Sequence, residues 1–147
     1  MFKHILLPTD GSPLSLRAAK ACVRFARANG ARITAFYAVP VYHPDISGDF
    51  VPAGFISLAE FTTRVEASAD KYLGQVKQWA NAAKVRCATA RASSDSPYAA
   101  IIKAAKANRC DLVFMASHGR RGLKALLIGS ETNKVLTHCK VPVLVFR

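Results

Sequence analysis

The stretch 115-MASHGRRGLKALLIGSET-132 decides how this sequence folds and where its function lies. It follows an apolar strand candidate, Leu112 to Ala116, and it leads into a short helix candidate, Ser130 to His138. Glycine lets backbone N–H groups approach an anion closely, and a helix start adds free N–H groups and partial positive charge. A strand, a glycine loop and a helix start in this order predict a turn that holds phosphate.

This glycine loop has a simpler interpretation, in which Gly119 and Gly122 only shape turns. The loop is not a P-loop, because GxxxxGK[ST] is absent, and it is not the dinucleotide fingerprint, because GxGxxG is absent. Gly129-Ser130 follows Gly119 after nine residues. The hydroxyl groups of Ser130 and Thr132 add hydrogen-bond donors that suit a phosphate chain.

Outward from this loop, strand and helix patterns alternate along the whole chain. Parallel strands need helical crossovers, so this alternation predicts one parallel sheet with helices on both faces. Ligands of such sheets bind at the carboxyl ends of the strands. That rule selects three stretches: Pro8 to Ser12, Val39 onward and Met115 onward. The other predicted strands are Lys3–Pro8, Arg32–Val39, Lys84–Arg91 and Val141–Phe146, and the other predicted helices are Pro13–Asn29, Ser57–Ala83 and Pro97–Asn108.

Length and composition narrow the class of protein. The chain has 147 residues, which suits one domain, and no apolar run approaches the ~18 residues that span a membrane. Met1 to Pro8 lacks the features of a signal peptide, so we expect a cytoplasmic protein. The cysteines are scattered and form no CxxC pair, which predicts reduced thiols and no metal site. They are Cys22, Cys87, Cys110 and Cys139.

The formal net charge of +12 favours anionic partners: nucleotides, nucleic acid or an acidic surface. Charge alone does not choose between these partners and a solvated basic surface. Arg120, Arg121 and Lys124 lie beside the glycine loop, and we expect them to be solvated. Nucleic-acid binding is a further alternative that rests on charge alone, so the sequence does not favour a nucleic-acid partner.

The motifs together resemble the universal stress protein family. Met115 to Gly119, nine residues and Gly129-Ser130 look like the family motif G-x-x-G-x9-G-[ST], and Ile5 to Ser12 resembles its first strand and turn. Lys134 to Leu136 and Val141 to Val145 resemble its end. The match covers essentially all of residues 1–147, in the correct order and spacing.

The resemblance implies a three-layer α/β/α sandwich of the adenine nucleotide α-hydrolase or flavodoxin type. Its five-stranded parallel sheet would have the order 3-2-1-4-5. It also implies a homodimer in which the last strands, Val141 to Phe146, pair with each other. An apolar edge strand fits this arrangement, because such a strand is normally covered or paired.

In the ATP-binding branch of the family, adenine and ribose lie at the ends of strands one and two, and the phosphates lie on the glycine loop. The resemblance implies ATP or a related adenine nucleotide as the ligand and leaves Mg²⁺ open. Asp10 would accept hydrogen bonds from ribose or base, and Val39 would pack on adenine. The implied site comprises Pro8, Thr9, Asp10, Val39, Met115, Ala116, His118, Gly119, Gly129, Ser130, Glu131 and Thr132.

Two residues depart from the family pattern. Ala116 replaces the first motif glycine, and its methyl group would crowd a ligand if the backbone had to approach closely or take a positive φ. Glu131 places a carboxylate near the phosphates, which costs Coulomb energy unless it is paired. The other interpretation of Glu131 is an ordinary acidic residue in the first turn of a helix.

Two classes of function follow. The first is a cytoplasmic stress-response dimer that binds adenine nucleotide as a sensor or regulator; the second is a dimeric interaction protein that uses no nucleotide. A slow ATPase is a further alternative, although we predict no catalytic residues and no metal ligands. Ser117, His118 and Asp10 do not suggest a hydrolase triad, because adjacent Ser and His rarely meet its geometry and no GxSxG elbow exists.

Overall fold

A computed structural model describes residues 1–44, 56–119 and 128–147. Within these ranges five strands alternate with four helices, as predicted. The elements are β1 (His4–Pro8), α1 (Pro13–Asn29), β2 (Arg32–Val39), α2 (Leu58–Ala82), β3 (Cys87–Ser93), α3 (Pro97–Ala107), β4 (Leu112–Ala116), α4 (Ser130–His138) and β5 (Val143–Phe146).

The five strands form one parallel sheet in the order β3-β2-β1-β4-β5, which confirms the predicted fold class and strand order. The chain first builds outward from β1 through β2 to β3, and then returns to add β4 and β5 on the other side. The carboxyl ends of β1 and β4 therefore lie side by side at the switch in strand order, where such sheets bind ligands.

Helices cover both faces of the sheet. On one face, α1 and α2 pack with Ile5 and Leu7; on the other, α3 and α4 pack with Leu6 and Val113. Ile5, Leu6 and Leu7 are all fully buried, because a central strand has a helix layer above and below it. This explains why β1 is a continuous apolar run rather than an alternating one.

The ends of α1 were predictable because local residues fix them. Ser12 accepts a hydrogen bond from the Ser15 N–H, Pro13 occupies the first turn, and Gly30 closes the helix with φ 61°. At the start of α2, Ser57 and Glu60 form a reciprocal capping box. Each of these contacts joins residues a few positions apart in the sequence.

The third strand differs most from its prediction. We predicted Lys84–Arg91, whereas β3 spans Cys87–Ser93. Lys84 has φ 58°, and the Val85 N–H still bonds the Ala80 carbonyl, so these residues close α2 rather than begin a strand. The predicted start of β5 is similarly early by two residues.

Several sequence predictions concern other parts of the chain. The middle of the predicted connection from Pro40 to Ile56, and the basic residues Arg120, Arg121 and Lys124, lie outside the described residues. Among the helices that the structure describes, none is long and apolar enough to cross a membrane. Cys22, Cys87, Cys110 and Cys139 are free cysteines in the structure.

Candidate functional site

The turn after β1 is held rigidly by its own side chains. The Thr9 N–H donates to the Phe36 carbonyl at 2.9 Å, and the Thr9 hydroxyl lies 3.1 Å from that of Ser15. Asp10 accepts a hydrogen bond from the Ser12 N–H at 2.9 Å. Thr9 is buried, so it shapes this turn from inside, whereas Asp10 is only half-buried.

Gly11 completes this turn with φ 76°, a conformation that glycine adopts without penalty. The ring of Tyr72, from α2, lies where a Cβ at this position would be. Tyr72 also stacks on Tyr37 of β2, with 6.4 Å between ring centroids. The Gly11 turn is therefore locked against α2.

The turns after β1 and β4 meet at Asp10 and Gly119. A Cβ on Gly119 would overlap the Oδ2 atom of Asp10. These residues are far apart in the sequence, and the neighbouring positions of β1 and β4 bring them together. Two of the residues implied by the family resemblance are thus in direct contact at the predicted edge.

Gly129 fastens the start of α4 to the end of β4. Its N–H donates to the Ser117 carbonyl at 2.7 Å, and it is the N-cap of α4 with an ordinary φ of −61°. A Cβ here would lie 3.1 Å from the His118 Cα and 3.3 Å from the Ser117 oxygen. An added Cβ at this position would be crowded by the backbone of residues 117 and 118, whereas the backbone angles of Gly129 suit any residue.

Thr132 makes the same connection from inside the helix. It is 3 % exposed, and its hydroxyl donates to the Ala116 carbonyl at 3.0 Å. We expected this hydroxyl to suit phosphate, but the structure uses it to join α4 to β4. Ser130, two residues before Thr132, is exposed at the first position of α4.

Ala116 is the last residue of β4 and pairs with Phe146 of β5. It is 7 % exposed and belongs to the core on the α1 and α2 side of the sheet. Its φ is not positive. The added methyl group therefore fits the protein's own core and backbone. Met115 is also buried, in the core on the α3 and α4 side.

Glu131 points to α3 rather than remaining unpaired. One carboxylate oxygen accepts the Tyr98 N–H at 2.9 Å, and the other lies 2.9 Å from the Lys134 ammonium. Ser96, the N-cap of α3, makes no side-chain capping bond, so Glu131 supplies the missing acceptor. Sequence reasoning missed this role, because the two residues are 33 positions apart.

The start of α4 offers free backbone donors. Within the described residues, no side chain caps this helix start. Among the residues that the structure describes, no acceptor therefore faces the first-turn N–H groups and the partial positive charge at this helix start. His118 lies beside them, half-buried, with its Nδ1 3.2 Å from the Ser117 hydroxyl.

Val39 lies at the end of β2, next to a cavity of about 450 Å³. The cavity is mainly apolar. Of its lining residues, only Val39 was predicted from the sequence as a site residue. Tyr42 and Phe61 pack together there, with ring centroids 5.2 Å apart, and the Tyr42 hydroxyl donates to the Ile56 carbonyl at 2.8 Å. The lining residues are Val39, Pro40, Val41, Tyr42, Leu58, Phe61, Thr62, Val65, Glu66 and Ser93.

The implied site residues thus occupy the ends of three adjacent strands. Val39 ends β2, Pro8 to Asp10 end β1, and the glycine loop follows β4. Neighbouring strands lie ~4.8 Å apart, so the site edge is about 10 Å across. Among the described residues, no group of three or more His, Cys, Asp or Glu side chains is arranged to hold a metal ion.

Comparison with known proteins gives one consistent result. The model of the universal stress protein family matches residues 1–147. A universal stress protein of Thermus aquaticus is 33% identical, with 100% of both chains covered. Another, from Methanocaldococcus jannaschii, is 32% identical, with 100% of this chain and 83% of the relative covered.

Solved structures agree with the sequence comparisons. Universal stress protein UspA from Lactobacillus plantarum is 26% identical with a TM-score of 0.80, and 99% of this chain and 97% of that chain are covered. A universal stress protein in complex with cAMP has a TM-score of 0.72 at 21% identity, covering 99% and 97% of the two chains. One from Archaeoglobus fulgidus in complex with dAMP has a TM-score of 0.68 at 13% identity, covering 100% and 98%.

Proposed function

This chain belongs to the universal stress protein family, and we propose that it binds ATP or a related adenine nucleotide across the carboxyl ends of β2, β1 and β4. Bound nucleotide would make it a sensor or regulator in the stress response. Two solved structures of the family hold adenine nucleotides, cAMP and dAMP, which supports the ligand class.

The observation that carries this proposal is the start of α4, which no side chain of the described residues caps and which is fixed against the end of β4. Gly129 and Thr132 each hydrogen-bond the β4 end, so the first-turn N–H groups of α4 are fixed in direction. Fixed donors at a helix start suit phosphate oxygens. Glu131 adds little repulsion there, because its carboxylate is paired with Lys134 and the Tyr98 N–H.

The rest of the nucleotide would extend toward β2. The half-buried carboxylate of Asp10, at the end of β1, would accept a hydrogen bond from a ribose hydroxyl. Adenine would lie against Val39 in the apolar cavity beyond it. The ~10 Å between the ends of β2 and β4 suits a nucleotide laid across three strands.

Calorimetric titration of the purified protein with ATP, with and without Mg²⁺, tests the proposal. Ser130→Asp places a negative charge where the phosphates would lie, and Ser130→Asn is the neutral control of similar shape. We expect the Asp variant to bind ATP at least ~10-fold more weakly than the Asn variant while its helix gains ~0.3–1 kcal/mol from the dipole. Adenosine, which has no phosphate, should bind both variants equally.

No ATP binding at millimolar concentration would overturn the proposal and favour an interaction protein that uses no nucleotide. Equal ATP binding by the Asp and Asn variants would show that the phosphates do not lie at α4. Release of ADP during the titration would identify the slow ATPase. A Glu131→Gln variant should leave the affinity for ATP unchanged.

We also propose that the protein is a homodimer joined through β5. This strand lies at the edge of the sheet, and its residues Val143–Phe146 are all half-buried. The Pro142 carbonyl accepts a hydrogen bond from Val113 of β4, and the Phe146 carbonyl accepts one from Ser117, the residue after β4. Backbone N–H and C=O groups alternate in direction from one residue to the next along a strand. Those of Val143 and Val145 therefore point to the open edge of the sheet.

Val145→Pro removes one N–H from this open edge and keeps the bonds to β4. Val145→Ala shortens the side chain but keeps the N–H, so it is the matched control. Analytical ultracentrifugation should show a dimer for the natural chain and the Ala variant, and a shift to monomer for the Pro variant. A natural chain that sediments as a monomer would refute the β5 dimer.

We assign the protein to the cytoplasm. Four free cysteines support this, because thiols persist in reducing compartments. Alkylation of accessible thiols in intact cells that express the chain, followed by lysis and fractionation, tests the assignment. Recovery of disulfide-linked protein from an oxidising compartment would contradict it.

A further inference from the structure

The exposed side of α1 is almost entirely cationic. Its exposed residues are Pro13 and Ala28, near the two ends, and four cations between them. These cations, which we call the α1 stripe, are Arg17, Lys20, Arg24 and Arg27. Spacings of three and four residues place them on one side of the helix, one or two per turn. The helix contains no acidic residue.

The α1 stripe is available to an external anion. Within the part of the chain that the structure describes, none of its members has a carboxylate within 4.0 Å. The Lys20 ammonium lies 4.8 Å from the centre of the Trp79 ring, a contact that holds its stem against α2. A net charge of +12 is compatible with cations scattered over a solvated surface. The cations of the α1 stripe instead form a continuous line.

The length of the stripe matches a run of phosphates. Arg27 lies ten positions after Arg17, which is ~15 Å along a helix that rises 1.5 Å per residue. A nucleic-acid duplex carries one phosphate charge per ~1.7 Å of its axis when both strands are counted, so a line of about 15 Å lies beside several phosphates. Each of the four cations can therefore neutralise one phosphate.

A flat lipid surface fits α1 less well. The apolar side of α1, with Leu14, Ala18 and Cys22, is buried in the core and is not free to enter a membrane. A flat anionic surface would also meet α2, which covers the same sheet face and exposes Glu66 and Asp70, whose carboxylates are already paired with Arg91. A narrow line of phosphates can follow α1 without approaching them.

We propose that the α1 stripe binds the phosphate backbone of a nucleic-acid duplex without reading its base sequence. The binding is electrostatic, so it depends steeply on salt and not on sequence. This binding does not require the proposed ATP site, and the test contains no free ATP or other mononucleotide.

Fluorescence anisotropy with a labelled 20-base-pair DNA duplex, titrated across a salt series, measures the binding. For four phosphate contacts, the logarithm of affinity should fall against the logarithm of salt concentration with a slope of about −3.6. Arg17→Gln with Arg24→Gln removes two contacts and should reduce the slope to about −1.8. A duplex of scrambled sequence should give the same values.

The matched control is Lys103→Gln with Lys106→Gln on α3. It removes the same charge from exposed positions on the opposite face of the sheet. This variant should keep a slope near −3.6. Equal slopes for the two double variants would overturn the proposal, because net charge alone would explain the binding.

Vesicles that contain phosphatidylserine form a second arm. If the α1 stripe bound these vesicles and did not bind the duplex, its ligand would be a lipid surface, and the proposal would be overturned. Thermal unfolding of both double variants should match that of the natural chain, since all four substituted positions are exposed.

Discussion

The Oδ2 atom of Asp10 lies where a Cβ on Gly119 would be, so the turns after β1 and β4 are packed against each other with no space for a side chain. This contact joins two neighbouring strand ends and defines the centre of the candidate site. It also makes Gly119 sensitive to the smallest substitution.

Gly119→Ala should displace the Asp10 carboxylate and weaken its hydrogen bond with the Ser12 N–H. We expect the free energy of unfolding to fall by ~1–3 kcal/mol and the affinity for ATP to fall with it. Gly74→Ala is the control, because an added Cβ there meets nothing within 4 Å in α2. It should add ~0.5–1 kcal/mol of stability and leave ATP binding unchanged. Urea unfolding and ATP titration measure both.

Gly11→Ala combines a positive φ with an overlap between the new Cβ and the Tyr72 ring. Gly30→Ala has a similar φ, 61°, but open space around the new Cβ. We expect about 1 kcal/mol of destabilisation at Gly30 from the backbone alone and at least ~2 kcal/mol at Gly11. Equal losses at the two positions would mean that Tyr72 moves aside without cost.

Glu131→Ala removes the acceptor that the start of α3 uses. Because the carboxylate is partly exposed, we expect a loss of about 1 kcal/mol of stability. Glu131→Gln keeps one acceptor for the Tyr98 N–H and should lose less. Chemical denaturation of the two variants and the natural chain measures these losses of stability. A stability for Glu131→Ala equal to that of the natural chain would refute the capping role.

His4 predicts a dependence of stability on pH. Burial lowers its pKa below the ordinary 6.5, the nearby Arg32 charge lowers it further, and Asp111 opposes this. The folded chain therefore binds fewer protons at His4 than the unfolded chain does. The stabilisation is complete above pH 6.5 and is lost as the pH falls through the folded-state pKa.

Urea unfolding at pH 7.5 and at lower pH measures this effect. The natural chain should lose stability on acidification. His4→Gln, which retains a group able to bond the Thr34 hydroxyl, should lose less over the same interval. A natural chain and a variant with the same pH profile would show that His4 does not contribute.

Local chemistry explains what the sequence could predict. The bounds of α1, β2, β4 and α4 agree with their predictions, because caps, glycines and continuous apolar runs act over a few residues. The predicted start of β3 was wrong because a lysine, Lys84, takes the left-handed conformation that closes α2, where a glycine would be expected. A lysine gives no indication of a helix end.

The contacts within the candidate site required the fold. Asp10 and Gly119 meet only because β1 and β4 are neighbours, and Glu131 reaches α3 from another helix. Ala116 was predicted to crowd a ligand if its backbone came close or took a positive φ. Its methyl group packs in the core, a location that depends on which face of β4 it occupies.

The 2.7 Å bond between the Gly129 N–H and the Ser117 carbonyl closes a ring of backbone that begins at residue 117 and ends at residue 129. The entropic cost of closing such a ring rises slowly with its length. The end of β4 and the start of α4 are therefore joined by a direct backbone bond as well as by the residues between them, and their separation is set by that bond.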